Sequence, residues 1–129
     1  MEMQMKELGK QWITSEKEYR EGEVFVYRQK FTASQVKKAV FYGTALGVYE
    51  AELNGVKIGR QMFAPGFSYY PRRVLYQTHE VTELLREGEN TLTVYLGQGW
   101  YCGRFLCENQ TQIYGEQPAV AWIVDLEDV

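Results

Sequence analysis

The fold is decided by the stretch Val48-Tyr49-Glu50-Ala51-Glu52-Leu53-Asn54-Gly55-Val56-Lys57-Ile58. Asn-Gly is the preferred two-residue type I′ hairpin turn, because both of its positions need a positive φ. The turn fixes the register, so Leu53 is predicted to lie opposite Val56 and Glu52 opposite Lys57. One side of the hairpin then carries apolar residues and is predicted to be buried: Ala51, Leu53, Val56 and Ile58. The other side carries the exposed charge pair of Glu52 and Lys57, which supports the register.

Short β-rich segments, separated by turn residues, continue on both sides of this hairpin. Predicted strands cover residues 24–31, 36–42, 74–78, 91–96 and 119–126. Thr82 as N-cap and Gly88 as terminator predict one short helical turn, with Leu84 and Leu85 pointing inward. About seven to nine short strands at near-regular spacing are typical of an all-β jelly-roll sandwich.

The chain is predicted to be one domain over residues 1–129. Residues 1–22 are polar and form an irregular segment, while residues 23–129 form the sandwich. Trp12-Ile13 is the only apolar anchor that we identify in that first segment, and we expect it to pin the segment to the domain surface.

The composition argues against several classes of function. The 129 residues carry 14 basic and 17 acidic side chains, a net charge of -3, with no basic run. Nucleic acid requires clustered Lys and Arg, and membrane anchoring requires a polybasic or long apolar segment, so we expect neither partner. The N-terminus, Met1-Glu2-Met3, lacks the apolar region of a signal peptide. We therefore expect a cytoplasmic protein, although secretion stays open.

Residues that commonly hold metals or act as nucleophiles are few. Four residues separate Cys102 from Cys107 and no His is near, which argues against zinc. Two reduced thiols are expected, since a disulfide would need an oxidising compartment. His79 is the single histidine and is expected to be structural. Calcium needs several oxygens converging in one loop, and no such cluster is visible, so we expect no metal and no cofactor.

A series of short motifs runs along almost the whole chain. The motifs are Leu46-Gly47-Val48-Tyr49-Glu50, Leu53-Asn54-Gly55, Ala64-Pro65-Gly66-Phe67, Val74-Leu75-Tyr76-Gln77-Thr78, Val81-Thr82-x-x-Leu85, Gly88-x-Asn90 and Leu96-Gly97-Gln98-Gly99-Trp100-Tyr101-x-Gly103. Each motif alone is weak evidence for any one protein family. In this order, from about Trp12 to Leu126, the series resembles the N-terminal domain of bacterial α-L-rhamnosidases, glycoside hydrolase family 78.

The resemblance implies a large multidomain parent that removes terminal α-L-rhamnose from glycosides. The catalytic carboxylates of the parent would lie in a separate helical (α/α)6 barrel, so no catalytic residue is carried over and this piece is not expected to be an enzyme. The domain itself would be a galactose-binding-like accessory sandwich that assists substrate recognition and packs on the catalytic domain. The chain stops directly after a strand, at Leu126-Glu127-Asp128-Val129, so we expect a piece of a longer protein.

Two irregular aromatic segments, residues 62–73 and 97–105, are the best candidates for a site. Sugars present flat apolar C–H faces on which exposed rings stack, while Arg, Gln and Asn bind the hydroxyls. The candidate residues are Phe67, Tyr69, Tyr70, Arg72, Trp100, Tyr101 and Arg104. Three interpretations stay open: the rings form core, they contact the catalytic domain, or they contact sugar.

Three functions of different classes are therefore considered. The first is the non-catalytic rhamnosidase accessory domain. The second is a free-standing carbohydrate-binding module, which requires exposed rings and sugar affinity in isolation. The third is a protein-interaction sandwich without a sugar role, which predicts an exposed apolar patch larger than roughly a few hundred Å². Such a patch would also allow the isolated chain to dimerise.

Overall fold

β-Strands are the main secondary structure of the residues that the structure describes. The computed structural model describes Leu8 and residues 11–67, 73–105, 110–111 and 114–129. The strands are β1 (Phe25–Ala33), β2 (Val36–Leu46), β3 (Val48–Leu53), β4 (Val56–Lys57), β5 (Gln77–Glu80), β6 (Gly88–Gly97), β7 (Arg104–Phe105), β8 (Gln110–Thr111) and β9 (Ala119–Asp128). A 3₁₀ turn spans Thr82–Leu84 and one α-helical turn, α1, spans Gly99–Cys102.

Two antiparallel sheets pack face to face. Their strand orders are β1-β6-β3-β4 and β5-β2-β9, and β7 pairs with β8 in a separate ribbon. Alternate residues of a strand share one face of its sheet, so every second side chain enters the core. Leu53, Leu92 and Val94 from the first sheet meet Phe41 and Val120 from the second in one buried cluster. The predicted all-β sandwich is confirmed.

The Asn54-Gly55 hairpin has the predicted register. Glu52 pairs with Lys57 and Leu53 pairs with Val56. Ala51, Leu53 and Ile58 are buried as expected, but Val56 is 51% exposed, so the prediction that it is buried was wrong. Val56 begins a two-residue edge strand beside the turn, where the opposing sheet does not cover it.

Charges on the outer side of this hairpin pair along a diagonal. The Lys57 ammonium lies 3.3 Å from the Glu50 carboxylate, two residues from the position directly opposite. Glu52 instead accepts a hydrogen bond from the Tyr95 hydroxyl at 3.4 Å. A long lysine side chain reaches diagonal neighbours on a sheet as readily as direct ones, which explains the difference.

Two asparagines join the hairpin turn to the start of β6. Asn90 is fully buried, and its side-chain oxygen accepts from the Arg86 amide and from Asn54 Nδ2, both at 2.8 Å. Its Nδ2 donates to the Arg86 carbonyl at 2.8 Å and to the Gly88 carbonyl at 3.0 Å. All four hydrogen-bonding positions of the amide are therefore used.

The segment between β5 and β6 differs from the prediction in two respects. Thr82 is not an N-cap; Val81 occupies that position with no side-chain cap, and the Thr82 hydroxyl accepts from the Ala39 amide at 3.0 Å instead. The strand predicted over residues 74–78 lies at Gln77–Glu80, where it pairs with Val40–Gly43 of β2. Leu84 and Leu85 do pack against the core, as predicted.

Candidate functional site

Three exposed aromatic rings lie together at the end of β6. Trp100 makes edge-to-face contacts with Phe63, at a centroid distance of 6.4 Å, and with Phe67, at 6.1 Å. Phe63 is 60% exposed, Phe67 48% and Trp100 37%. This aromatic cluster, Phe63, Phe67 and Trp100, joins the two segments that the sequence singled out.

Glycines place Trp100 where it is. β6 ends at Gly97, and α1 carries Trp100 close over the start of β3. Gly47 has a φ of +135°, and a Cβ there would overlap the Gly97 carbonyl; Gly99 has a φ of +52°, and a Cβ there would lie 2.8 Å from a Val48 methyl carbon. Only glycine combines these backbone angles with so close an approach.

Phe63 has an unusual backbone conformation. Its φ is +55°, a region that bulky side chains rarely adopt. Hydrogen bonds hold the backbone on the C-terminal side: the Tyr49 amide donates to the Ala64 carbonyl at 2.7 Å, and the Gly66 amide donates to the Phe63 carbonyl at 2.8 Å. The ring projects into solvent beside Trp100, so its burial does not offset the strain.

The N-terminal segment borders the cluster on the other side. The Tyr19 hydroxyl donates to Gln98 Oε1 at 2.5 Å, and the Tyr19 amide donates to Gln117 Oε1 at 2.9 Å. Gln117 Nε2 donates in turn to the Lys17 carbonyl at 2.8 Å. Ile13 forms a β-bridge with Val120, which confirms that this segment is pinned to the sandwich.

Two clefts adjoin along Phe63. The smaller, of about 190 Å³, reaches over the outer face of the first sheet to Glu50 and Tyr95. The larger, of about 330 Å³, reaches toward Trp100, Tyr19 and Glu23. Both clefts are lined by Val24, Val48, Phe63 and Gly97. Apolar side chains and one glutamate therefore line each cleft.

The predicted site residues have different positions. Phe67 and Trp100 lie together in the cluster, whereas Tyr101 is half-buried with its ring against Gly115, and burial raises the pKa of its hydroxyl. Arg104 begins β7. Tyr69, Tyr70 and Arg72 lie outside the described residues. The role of these residues stays a prediction.

The residues predicted from the sequence did not include Phe63, which the structure places in the aromatic cluster. It lies in the aromatic segment 62–73, but the candidate set began at Phe67. Its ring contact with Trp100 depends on a positive φ, which no sequence pattern predicts for phenylalanine.

Comparison with known proteins gives the family. Residues 34–128 match the family described as the α-L-rhamnosidase N-terminal domain. The chain belongs to this family. An α-L-rhamnosidase from Streptomyces avermitilis is 45% identical over 93 residues, which are 72% of this chain and 9% of that protein. The resemblance drawn from the motif series is therefore confirmed.

Solved rhamnosidases share the fold. The crystal structure of an α-L-rhamnosidase from Aspergillus terreus matches with a TM-score of 0.85 and 30% identity, covering 91% of this chain and 14% of that one. The Streptomyces avermitilis α-L-rhamnosidase, complexed with L-rhamnose, matches with a TM-score of 0.76 and 40% identity, covering 81% of this chain and 10% of that one. In these relatives the rhamnosidase N-terminal domain is a small part of a much longer chain.

In this rhamnosidase N-terminal domain, the side chains of Cys102 and His79 pack against the fold. Cys102 is free and buried, and burial raises the pKa of its thiol to about 11. The His79 ring lies against Gly59, whose Cβ position it would overlap. Among the described residues, no group of three or more His, Cys, Asp or Glu is placed to hold a metal ion. None of the helices described has the length and apolarity to cross a bilayer.

Proposed function

We propose that this chain is a non-catalytic accessory domain that assists substrate recognition and packs on the catalytic domain of an α-L-rhamnosidase. The parent would hydrolyse terminal α-L-rhamnose from glycosides. Family membership and the small share of each relative that the chain covers, 9% and 14% in two of them, support this assignment. Catalysis would belong to the remainder of the parent.

The aromatic cluster is the observation that carries the proposal. Phe63, Phe67 and Trp100 expose between 37% and 60% of their surface at one end of the sandwich. Exposed aromatic rings with polar groups beside them are what a sugar face or a docking domain requires, and a core position would have buried them. Val24, 58% exposed, extends the apolar surface beside the rings.

The Glu87 carboxyl does not have the properties of a general acid for glycoside hydrolysis. Glycoside hydrolysis needs two carboxyls flanking the scissile bond, one of them with a raised pKa. Glu87, by contrast, accepts hydrogen bonds from the Ser34 hydroxyl at 2.6 Å and from the Gln35 amide at 3.2 Å. These bonds lower its pKa, which is the wrong direction for a general acid.

A sugar titration tests the recognition role. The chain would be titrated with L-rhamnose and a short rhamnoside while the indole N–H resonances are followed by NMR. We expect shifts at Trp100 and residues 62–67, with no change at Trp122, whose indole N–H is already donated to Gln29 at 2.9 Å. Trp12→Ala is a matched control for Trp100→Ala, because the two indoles are 39% and 37% exposed.

The outcomes separate the two roles of the accessory domain. Loss of binding in Trp100→Ala but not in Trp12→Ala would support sugar recognition at the aromatic cluster. No response at millimolar sugar would refute recognition and would leave the rings as a contact for the catalytic domain. A free-standing carbohydrate-binding module, the second candidate, is favoured by the same ring exposure and predicts measurable sugar affinity in the isolated chain.

A further inference from the structure

Phe63 lines both clefts, whereas Trp100 lines only the larger one and Phe67 lines neither. The clefts share four lining residues, and Phe63 is the aromatic one among them. Phe67 packs on Trp100, outside the residues that line the clefts. A ligand that fills both clefts would therefore contact Phe63, the aromatic residue that the clefts share.

The strain at Phe63 is not explained by packing. A bulky residue at positive φ persists only where its surroundings hold it, and such residues concentrate at binding sites. Here the backbone is held by hydrogen bonds at Ala64 and Phe63, while the ring gains little burial, being 60% exposed. Glycine or asparagine would occupy this conformation at lower cost, and the exposed ring is what Phe63 adds at this position.

Each cleft is lined by one glutamate whose carboxylate is paired with a lysine. Glu50 lies 3.3 Å from the Lys57 ammonium, and Glu23 lies 3.3 Å from the Lys17 ammonium. A carboxylate accepts hydrogen bonds from neighbouring sugar hydroxyls, and an ammonium donates to hydroxyl or ring oxygens. Because each carboxylate is paired with an ammonium, neither ion pair carries a net charge, and this chemistry suits a neutral sugar.

We propose that the two clefts hold two consecutive residues of a neutral glycoside, with Phe63 as the ring that both sugars contact. The domain would then recognise a chain of at least two sugars rather than a free monosaccharide. This inference rests on the proposed recognition function and adds the length and charge of the ligand. Glu50 would bind hydroxyls of one sugar and Glu23 hydroxyls of the other.

The test compares L-rhamnose with a neutral rhamnose disaccharide by isothermal titration calorimetry. We expect the disaccharide to bind at least about tenfold more tightly, because the second sugar adds contacts while the entropy of association is lost only once. Phe63→Gly and Phe63→Asn should remove this difference and leave the fold intact, since both residues tolerate positive φ. Glu50→Gln and Glu23→Gln should each weaken the disaccharide.

Controls distinguish failure of this inference from failure of the proposed function. Trp12→Ala removes an exposed ring outside the aromatic cluster and outside both clefts, and it should preserve the preference for the disaccharide. The two-residue site would be overturned by equal affinity for the two sugars, or by a preference for the disaccharide that survives Phe63→Gly. In either case, NMR shifts at Trp100 would still support sugar recognition. An absence of any response to either sugar would overturn both.

Discussion

Replacing Asn90 by alanine should destabilise the domain more than any exposed substitution. The change removes four hydrogen bonds of 2.8 to 3.0 Å from a side chain with 0% exposure. The abandoned partners are the Arg86 amide and carbonyl, the Gly88 carbonyl and Asn54 Nδ2. An unsatisfied buried polar group costs ~1–3 kcal/mol, and water can reach some of these partly buried partners.

Leaving about two of the four partners unsatisfied gives a loss of about 3 kcal/mol in the free energy of unfolding. For a domain of this length that corresponds to a fall in Tm of about 10 °C. Thermal denaturation followed by far-UV circular dichroism measures it. Glu89→Gln, the neighbouring residue on β6, is the matched control because its ion pair with Lys30 is exposed. It should change stability by less than about 0.5 kcal/mol.

The reasoning about Asn90 would be refuted if Asn90→Ala and Glu89→Gln melted within about 2 °C of each other. That result would mean that water replaces the lost bonds without cost, so the amide network would not hold the hairpin turn against β6.

Two further predictions concern titration. Because burial raises the pKa of Cys102 to about 11, only about a thousandth of the thiol is ionised at pH 8. Iodoacetamide should therefore label Cys102 far more slowly in the folded chain than in urea. Equal labelling rates, measured by peptide-mapping mass spectrometry, would contradict this. Ser34→Ala should raise the pKa of Glu87 toward its ordinary value, as read from the side-chain carboxyl signal by NMR, since the Ser34 hydroxyl is the main cause of its lowering. Glu87 stabilises the folded chain at pH values above its unfolded pKa, and this stabilisation is lost as pH falls through the lower folded pKa. Ser34→Ala should therefore make the free energy of unfolding depend less steeply on pH in the acid range. An unchanged pH dependence would contradict this.

Local chemistry decided the parts of the fold that sequence could predict. Asn54-Gly55 allows one turn type, so the register of Leu53 with Val56 followed without tertiary information. The strand predicted over residues 91–96 likewise lies within β6, where Leu92, Val94 and Leu96 are buried in the core. In both cases the signal lies within a few consecutive residues.

Errors arose where distant contacts outweighed local preference. Thr82 is a favoured N-cap by type, but its hydroxyl is engaged with Ala39, more than forty residues away. Residues 74–78 have strand-forming side chains, yet pairing with β2 begins only at Gln77. Thr44 donates to the Leu75 carbonyl at 2.6 Å and so occupies a group that a ladder would have used.

The candidate site was predictable in composition but not in arrangement. The aromatic content of the two segments pointed to Phe67 and Trp100, which do lie in contact. The helical turn Gly99–Cys102 was missed because a four-residue turn beginning with glycine has low helix propensity. Phe63 was missed because its role depends on a positive φ set by contacts with β3.

The position of β1 at the edge of its sheet bears on aggregation. Unpaired edge strands are templates for further strands, and long ones promote fibrils unless charge or shape prevents it. A second copy pairing antiparallel about Gln29 would set Arg28 against Lys30 of that copy, and like charges directly opposite one another are destabilising. Arg28 and Lys30 therefore disfavour growth of the sheet from one chain to the next. This protects the domain from aggregation, and its relatives are synthesised as part of much longer proteins.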